Sequence, residues 1–235
     1  MDALASCILP EPSASFGVAA TSWESGAVTV MVRQTDWCTL TLDTAQPRLF
    51  FRQRWRYEWI APPGQPRWTY AEKRRFHTAS DRMIWGVWSN RAFLTANGTS
   101  DVARALAGKR IPISFDVEWV LGQAHWVVEV RKVPPGFMAH PTRIEWPKRR
   151  IFLCTEDFKK DRHAGGIVAH EFGHAIGNTG VLNRGDEYRK SSPHYADKAS
   201  VINVGRELRN RHFRTMIEQL ELMAPGTRFA AMLPK

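Results

Sequence analysis

At 235 residues, with 43% hydrophobic side chains and ten tryptophans, the chain is long enough for the core of one large or two small globular domains. Its three cysteines, Cys7, Cys38 and Cys154, are too few and too scattered for a disulfide framework or a thiolate zinc site, and no stretch approaches the roughly twenty apolar residues of a membrane span. The formal charge of +10, carried by clusters such as Arg52, Arg54 and Arg56 or Arg206, Arg209, Arg211 and Arg214, reads as a solvated surface or as attraction to an anionic partner; no nucleic-acid motif is recognisable, so nucleic acid is not the expected one.

Residues 1–20 are rich in small side chains and read as an irregular leader. The first seven residues lack the positive start and apolar run of a secretory signal, so the expected location at synthesis is the cytoplasm, with export lacking a cleaved signal as the alternative. Short strands are predicted over 28–32 and 38–42, flanking a turn at Gln34-Thr35-Asp36. From 51 to 59, Phe51, Trp55, Tyr57 and Trp59 alternate with Arg52, Arg54, Arg56 and Glu58, the pattern of a half-buried strand. Pro62-Pro63-Gly64 lies in the best boundary signal, dividing a β-rich segment, 1–62, from a second unit, 63–235.

Thr69-Tyr70-Ala71-Glu72 is a capping box opening a helix whose apolar stripe is Phe76, Ala79, Ser80, Met83, Ile84, Val87 and Trp88; His77 lies off the stripe and is expected to be exposed. Strands over 113–119 and 126–133 are expected to join as a hairpin around Gly122, followed by a short strand at 151–154. Met216, Ile217 and Leu220 have the spacing of a C-terminal helix packed on the core.

Residues 170–177 read His-Glu-Phe-Gly-His-Ala-Ile-Gly. On a helix His170 and His174 stand one turn apart, with about 6 Å between their Cβ atoms, so both imidazoles can reach one zinc ion. Glu171, about 100° around the axis, is placed to accept a proton from a water at the metal's open position and hand it to a leaving amine. The small and apolar residues 164–169 lead into the motif, as expected of a helix with a buried back and a cleft-facing His face. Gly173 keeps the ligand-bearing turn narrow, and Gly177 lets the chain leave through a turn that a Cβ would oppose. A third ligand is needed; Asp186 and Glu187 are the nearest acidic groups after Gly177, with His194 and Glu207 as further rivals.

The stretch from His170 to Gly177, followed by Asp186-Glu187-Tyr188, resembles the metzincin-type zincin metallopeptidases, whose pattern is His-Glu-x-x-His-x-x-Gly-x-x-His or Asp. It is most similar to a bacterial and phage-associated branch with an Asp-Glu-Tyr tripeptide after the glycine. That resemblance implies Asp186 as third ligand, although the family spacing points to position 180, which is Gly180 here. Residues 178–185 are rich in turn formers and read as an insertion that loops out and lets Asp186 return. Residues 200–205 resemble the tight turn beneath the metal in that family, with Ile202 where a methionine is usual. His212 reads as a satisfied, partly buried histidine, and Tyr188 as a support for the ligand loop.

What the resemblance implies is an α+β fold: a zincin-like domain with a mixed β-sheet, an active-site helix and a C-terminal helix, preceded by the β-rich segment. It further implies Zn²⁺ as cofactor, a peptide or protein substrate, and hydrolysis with Glu171 as general base. Members of the branch occur near contractile injection systems, so a delivered bacterial toxin or effector working with a delivery apparatus is an expectation by analogy. A peptidoglycan stem-peptide endopeptidase and a non-catalytic zinc-stabilised binding or structural module are the alternatives.

Overall fold

The computed structural model describes residues 29–137, 142–158 and 163–234. Among these residues the chain is α+β, with nine strands in one mixed sheet and four α-helices. β1 (Val30–Gln34) and β2 (Thr39–Asp43) form an antiparallel hairpin, closed by Thr35, whose hydroxyl oxygen accepts the Cys38 N–H at 3.0 Å. The first strand therefore starts later than its pattern suggested: Thr29 is outside it, and Val28 lies outside the described residues.

β3 (Arg48–Ile60) organises the sheet. Leu49, Phe51, Gln53, Trp55 and Tyr57 are buried, alternating with Arg48, Arg52 and Arg56, which are exposed. The exposed face is laced by cross-strand ion pairs such as Arg52 with Asp116 at 3.0 Å, so it remains solvated while the other face carries the core. Along one edge, β3 pairs in parallel with β5 (Ile111–Trp119). Along the other it pairs first with β2, antiparallel, and then with β6 (Trp126–Arg131), parallel.

The expected hairpin between the fifth and sixth strands is therefore wrong. β5 ends opposite Trp55 and β6 begins opposite the same residue, both running parallel to β3. The connection passes from one side of β3 to the other without reversing direction, fastened by Val120 N–H to Trp55 O and His125 N–H to Arg54 O. Alternation within each strand is the same for either arrangement, so the sequence pattern did not distinguish them. β7 (Arg143–Glu145) and β8 (Arg150–Cys154) extend the sheet beyond β6. β4 (Phe93–Gly98) and β9 (Thr227–Met232) extend it beyond β5. The boundary expected at 62/63 falls between β3 and the first helix, and strands on its two sides are hydrogen-bonded to each other.

α1 (Tyr70–Trp88) opens on the capping box: Glu72 donates its N–H to Thr69 Oγ1 at 3.2 Å and its carboxylate accepts the Thr69 N–H at 2.7 Å. Phe76, Ser80, Ile84, Val87 and Trp88 are buried, whereas Ala79 and Met83 are only half-buried. His77 is not exposed as expected; it is half-buried, with Nδ1 3.0 Å from the Tyr57 hydroxyl. A short α2 (Asp101–Leu106), α3 (Ile167–Ala175) and α4 (Arg214–Met223) complete the helices. Phe51, Phe115, Trp88, Phe172 and Phe213 are fully buried, and ring pairs such as Phe51–Phe115 at 5.2 Å and Phe115–Phe172 at 5.6 Å join the sheet to α3. Burying one such side chain contributes about 2 to 3 kcal/mol, so Phe172 alone anchors the short α3 firmly. No helix among the described residues is long and apolar enough to cross a membrane.

Candidate metal centre

Residues 164–166, expected to be helical, instead form a turn before α3, with Ala164 and Gly165 donating N–H groups to Val204 and Gly205 carbonyls. Gly166 then caps the helix at φ +86°, where a Cβ would fall 2.3 Å from Met83 Sδ. Every residue from Val168 to Ala175 is buried, and Glu171 and His174 nonetheless line a cleft, so the helix has the buried back and cleft-facing side expected of it, with little of that side exposed. The helix is walled by the sheet behind it, by Trp88, whose Nε1 donates to Ala169 O at 2.9 Å, and by the turn at 200–205.

Backbone carbonyls fix the tautomers of both histidines. A carbonyl can only accept, so His170 Nδ1 donates to Val201 O at 2.8 Å and His174 Nδ1 donates to Asn178 O. In the neutral rings both Nε2 atoms are then bare lone pairs, and they face each other at 3.1 Å. Asp186 Oδ1 lies 2.9 Å from His174 Nε2 and 3.5 Å from His170 Nε2. Tetrahedral ligands at zinc distances of about 2.0 to 2.1 Å stand about 3.3 Å apart, so this triangle has the dimensions of a three-ligand zinc site. Three acceptors aimed at one point repel unless a cation lies among them.

The electrostatics agree. With protons rather than a metal on the imidazole Nε2 atoms, burial acts to raise the Asp186 carboxyl, but hydrogen bonds from His170 and His174 outweigh it and hold the group well below the usual carboxylate range. Burial likewise acts to lower His174, but Asp186 and Glu171 prevail and raise it to about 9, a measure of how strongly this nitrogen's surroundings favour positive charge. Glu171 is buried, its Oε2 has no hydrogen-bond partner among the described residues, and burial pushes its carboxyl upward.

The structure brings together His170, His174 and Asp186, and none of the rivals. Glu187 is buried but turned away into a two-pronged pair with Arg211, at 2.7 and 2.9 Å. His194 is exposed, and Glu207 is exposed and paired with Arg209. Asp186 reaches the site because the residues before it close on themselves. Leu182 and Arg184 donate N–H groups to Thr179 O, Asn183 takes a left-handed turn, and Gly185 packs so closely on Gly180 that a Cβ on it would lie 3.0 Å from Gly180 N. Gly177, at φ +107°, starts this excursion where a Cβ would strike Thr215 at 2.4 Å.

Beneath α3, the turn at 200–205 seats Ile202, fully buried, against Gly173; a Cβ on Gly173 would lie 2.3 Å from Ile202 Cδ1. Sequence reasoning missed His163, whose ring lies 4.2 Å from that of His170 and whose Nδ1 donates to Asn203 O at 3.0 Å. No periodic signal connects it to the motif. Tyr188 stacks on His170 with centroids 6.0 Å apart and lies 6.2 Å from the His163 ring. His212 is satisfied as expected but fully rather than partly buried, accepting the Arg209 N–H at Nδ1 and donating from Nε2 to Ser200 Oγ. Glu171, His174, Asp186 and Tyr188 line a cleft of about 780 Å³. Compared with known proteins, the chain matches no family model, no curated protein and no solved structure, so its own geometry carries the functional reading.

Proposed function

We propose that this protein is a zinc-dependent metallopeptidase of the zincin type, with His170 Nε2, His174 Nε2 and Asp186 Oδ1 as the metal-holding atoms and Glu171 as the general base. The observation that carries the reading is the convergence of two imidazole lone pairs, each fixed by a backbone carbonyl, with a carboxylate oxygen at 2.9 and 3.5 Å. A bound zinc ion supplies Lewis acidity and a water acidic enough to be deprotonated near neutral pH. Glu171 would take that proton at its unpartnered Oε2 and return it to the leaving nitrogen. Burial favours the protonated carboxyl, which keeps this donor step accessible. Asn178 and the turn at Val201 orient the rings, and Asp186 is steadied by Arg189, whose Nε donates to Oδ2 at 3.1 Å.

A glutamate confined beside the ligand pair gives a structural zinc site nothing, which favours catalysis over a zinc-stabilised binding module. Zinc content and peptide cleavage, measured in the parent and in Glu171→Gln, separate the two. Stoichiometric zinc in both, with cleavage only by the parent, is the expected result. Zinc in both with no cleavage by either would leave the binding module, and a parent that takes up no zinc would remove the reading altogether. A delivered toxin or effector is the biological setting we favour, by the resemblance of the motif alone.

A further inference from the structure

We infer that the cleft over Glu171 and His174 selects peptides bearing carboxylate side chains, read by Arg184 and Arg214. The inference rests on the peptidase reading and adds its substrate class. Both arginines line the cleft. On one wall Arg184 Nη2 and Arg214 Nε share one carboxylate oxygen, Glu218 Oε1, at 2.8 and 3.2 Å. Arg143, which also lines the cleft, is engaged elsewhere: its guanidinium lies over the Phe152 ring, 3.8 Å from the centroid, and pairs with Glu145 at 3.1 Å. The Arg184 and Arg214 wall thus sets two cations against one carboxylate and keeps a surplus positive charge.

Arg189, also in the lining, pairs with Asp186, the same carboxylate proposed to hold the metal. Arg211 is different: Glu187 and Asp197 take up its guanidinium, so it contributes structure rather than recognition. Arg214 is the first residue of α4, the end at which the helix dipole disfavours a cation, and its side chain is 69% exposed. Its partner one turn on, Glu218, is shared with Arg184, so an incoming carboxylate can supply further acceptors bidentately. A nucleic-acid strand fits less well, because Tyr188 is the single phenol, phenyl or indole ring among the described lining residues, and strand binding uses several such platforms.

Binding to the zinc-loaded full chain carrying Glu171→Gln tests this without depending on turnover. The probes are a labelled peptide containing several glutamates and its twin with glutamine at those positions, read by fluorescence anisotropy at about 50 and about 500 mM salt. The acidic peptide is expected to bind about tenfold more tightly at low salt, with the preference shrinking at high salt and after adding Arg214→Gln, alone or with Arg184→Gln. Arg75→Gln with Arg82→Gln removes equal charge from the exposed side of α1 and should leave the preference intact.

Equal affinity for the two peptides at low salt would overturn the inference. So would an equal loss of preference in the α1 variant, or an oligonucleotide of matching charge that displaces the acidic peptide at lower concentration. Selective binding with no cleavage by the Glu171-containing parent would count against the peptidase reading and leave the selectivity standing.

Discussion

Replacing Gly173 with alanine tests whether the turn at 200–205 is wedged beneath the ligand helix. The added methyl would lie 2.3 Å from Ile202 Cδ1 and 2.9 Å from Trp88 Cζ2, where ordinary contact needs 3.4 Å or more. Neither neighbour can retreat easily: Ile202 is fully buried, and Trp88 is buried and tethered through Nε1 to Ala169 O. Alanine in mid-helix gains about 1 kcal/mol in propensity, whereas overpacking of this severity costs about 3 kcal/mol, so Gly173→Ala should destabilise by about 2 kcal/mol. Ile202→Val removes the clashing Cδ1 and by itself costs about 1 kcal/mol.

The double variant is the decisive one. Independent effects would sum to about 3 kcal/mol, but the alanine methyl fills the space that Cδ1 vacates while its 2.9 Å approach to Trp88 remains, so the pair should lie about 2 kcal/mol below the parent, a coupling of about 1 kcal/mol. Urea unfolding followed by tryptophan fluorescence, with unchanged m-values, measures all four proteins. A Gly173→Ala protein as stable as the parent, or a strictly additive double variant, would refute the wedge and with it the proposed support of the ligand helix.

Asp186→Asn should bring zinc content far below one equivalent, whereas Glu187→Gln should retain zinc yet cost about 2 to 3 kcal/mol by leaving Arg211 without its two-pronged partner; metal analysis and urea unfolding read the two effects. Gln53→Leu should cost about 3 kcal/mol in the same assay, because Gln53 Nε2 caps the Ala175 carbonyl at the end of α3 and its Oε1 accepts Trp55 Nε1–H, and both partners would be stranded. His125 should make stability pH-dependent. Burial first, and Arg54 second, lower it to about 4, so in the folded chain it stays neutral down to that pH while the unfolded chain takes up a proton near 6.5. The unfolded state holds more protons between these values, and stability therefore falls as pH drops from about 6.5 to about 4, by up to about 3 kcal/mol. Thermal melts of the parent and His125→Gln across that range should diverge toward low pH, and parallel curves would contradict the assignment.

The elements legible in the sequence are those whose signal is local. Alternation in 51–59 marks the core face of β3, Thr69 with Glu72 starts α1, and the His-Glu-x-x-His spacing puts both imidazoles on one face of α3. What escaped depends on contacts far apart in the chain. β5 and β6 alternate identically whether they form a hairpin or flank β3, and only the competition of β2 and β6 for one edge of β3 decides the matter. His163 joins the site through Asn203 O, 40 residues away, and Gln53 caps α3 from a strand 122 residues earlier, neither announced by a pattern.

The late arrival of Asp186 shows how an irregular spacing can leave a site's geometry intact. Residues between His174 and Asp186 number eleven, against the five of the family pattern the motif resembles, and a doubling of loop length costs only about 0.6 kcal/mol in closure entropy. That small cost is offset by hydrogen bonds that close the excursion: two N–H groups on Thr179 O within it, and the Arg184 guanidinium outside it on Thr215 Oγ1 at 2.6 Å. The contact of Gly185 with Gly180 brings the chain back beside its departure point. A ligand's position along the sequence is therefore a weaker constraint than the place where its loop closes. The same closure puts Arg184 on the cleft wall, so the added residues both return the carboxylate to the histidines and furnish one of the charges proposed to meet the substrate.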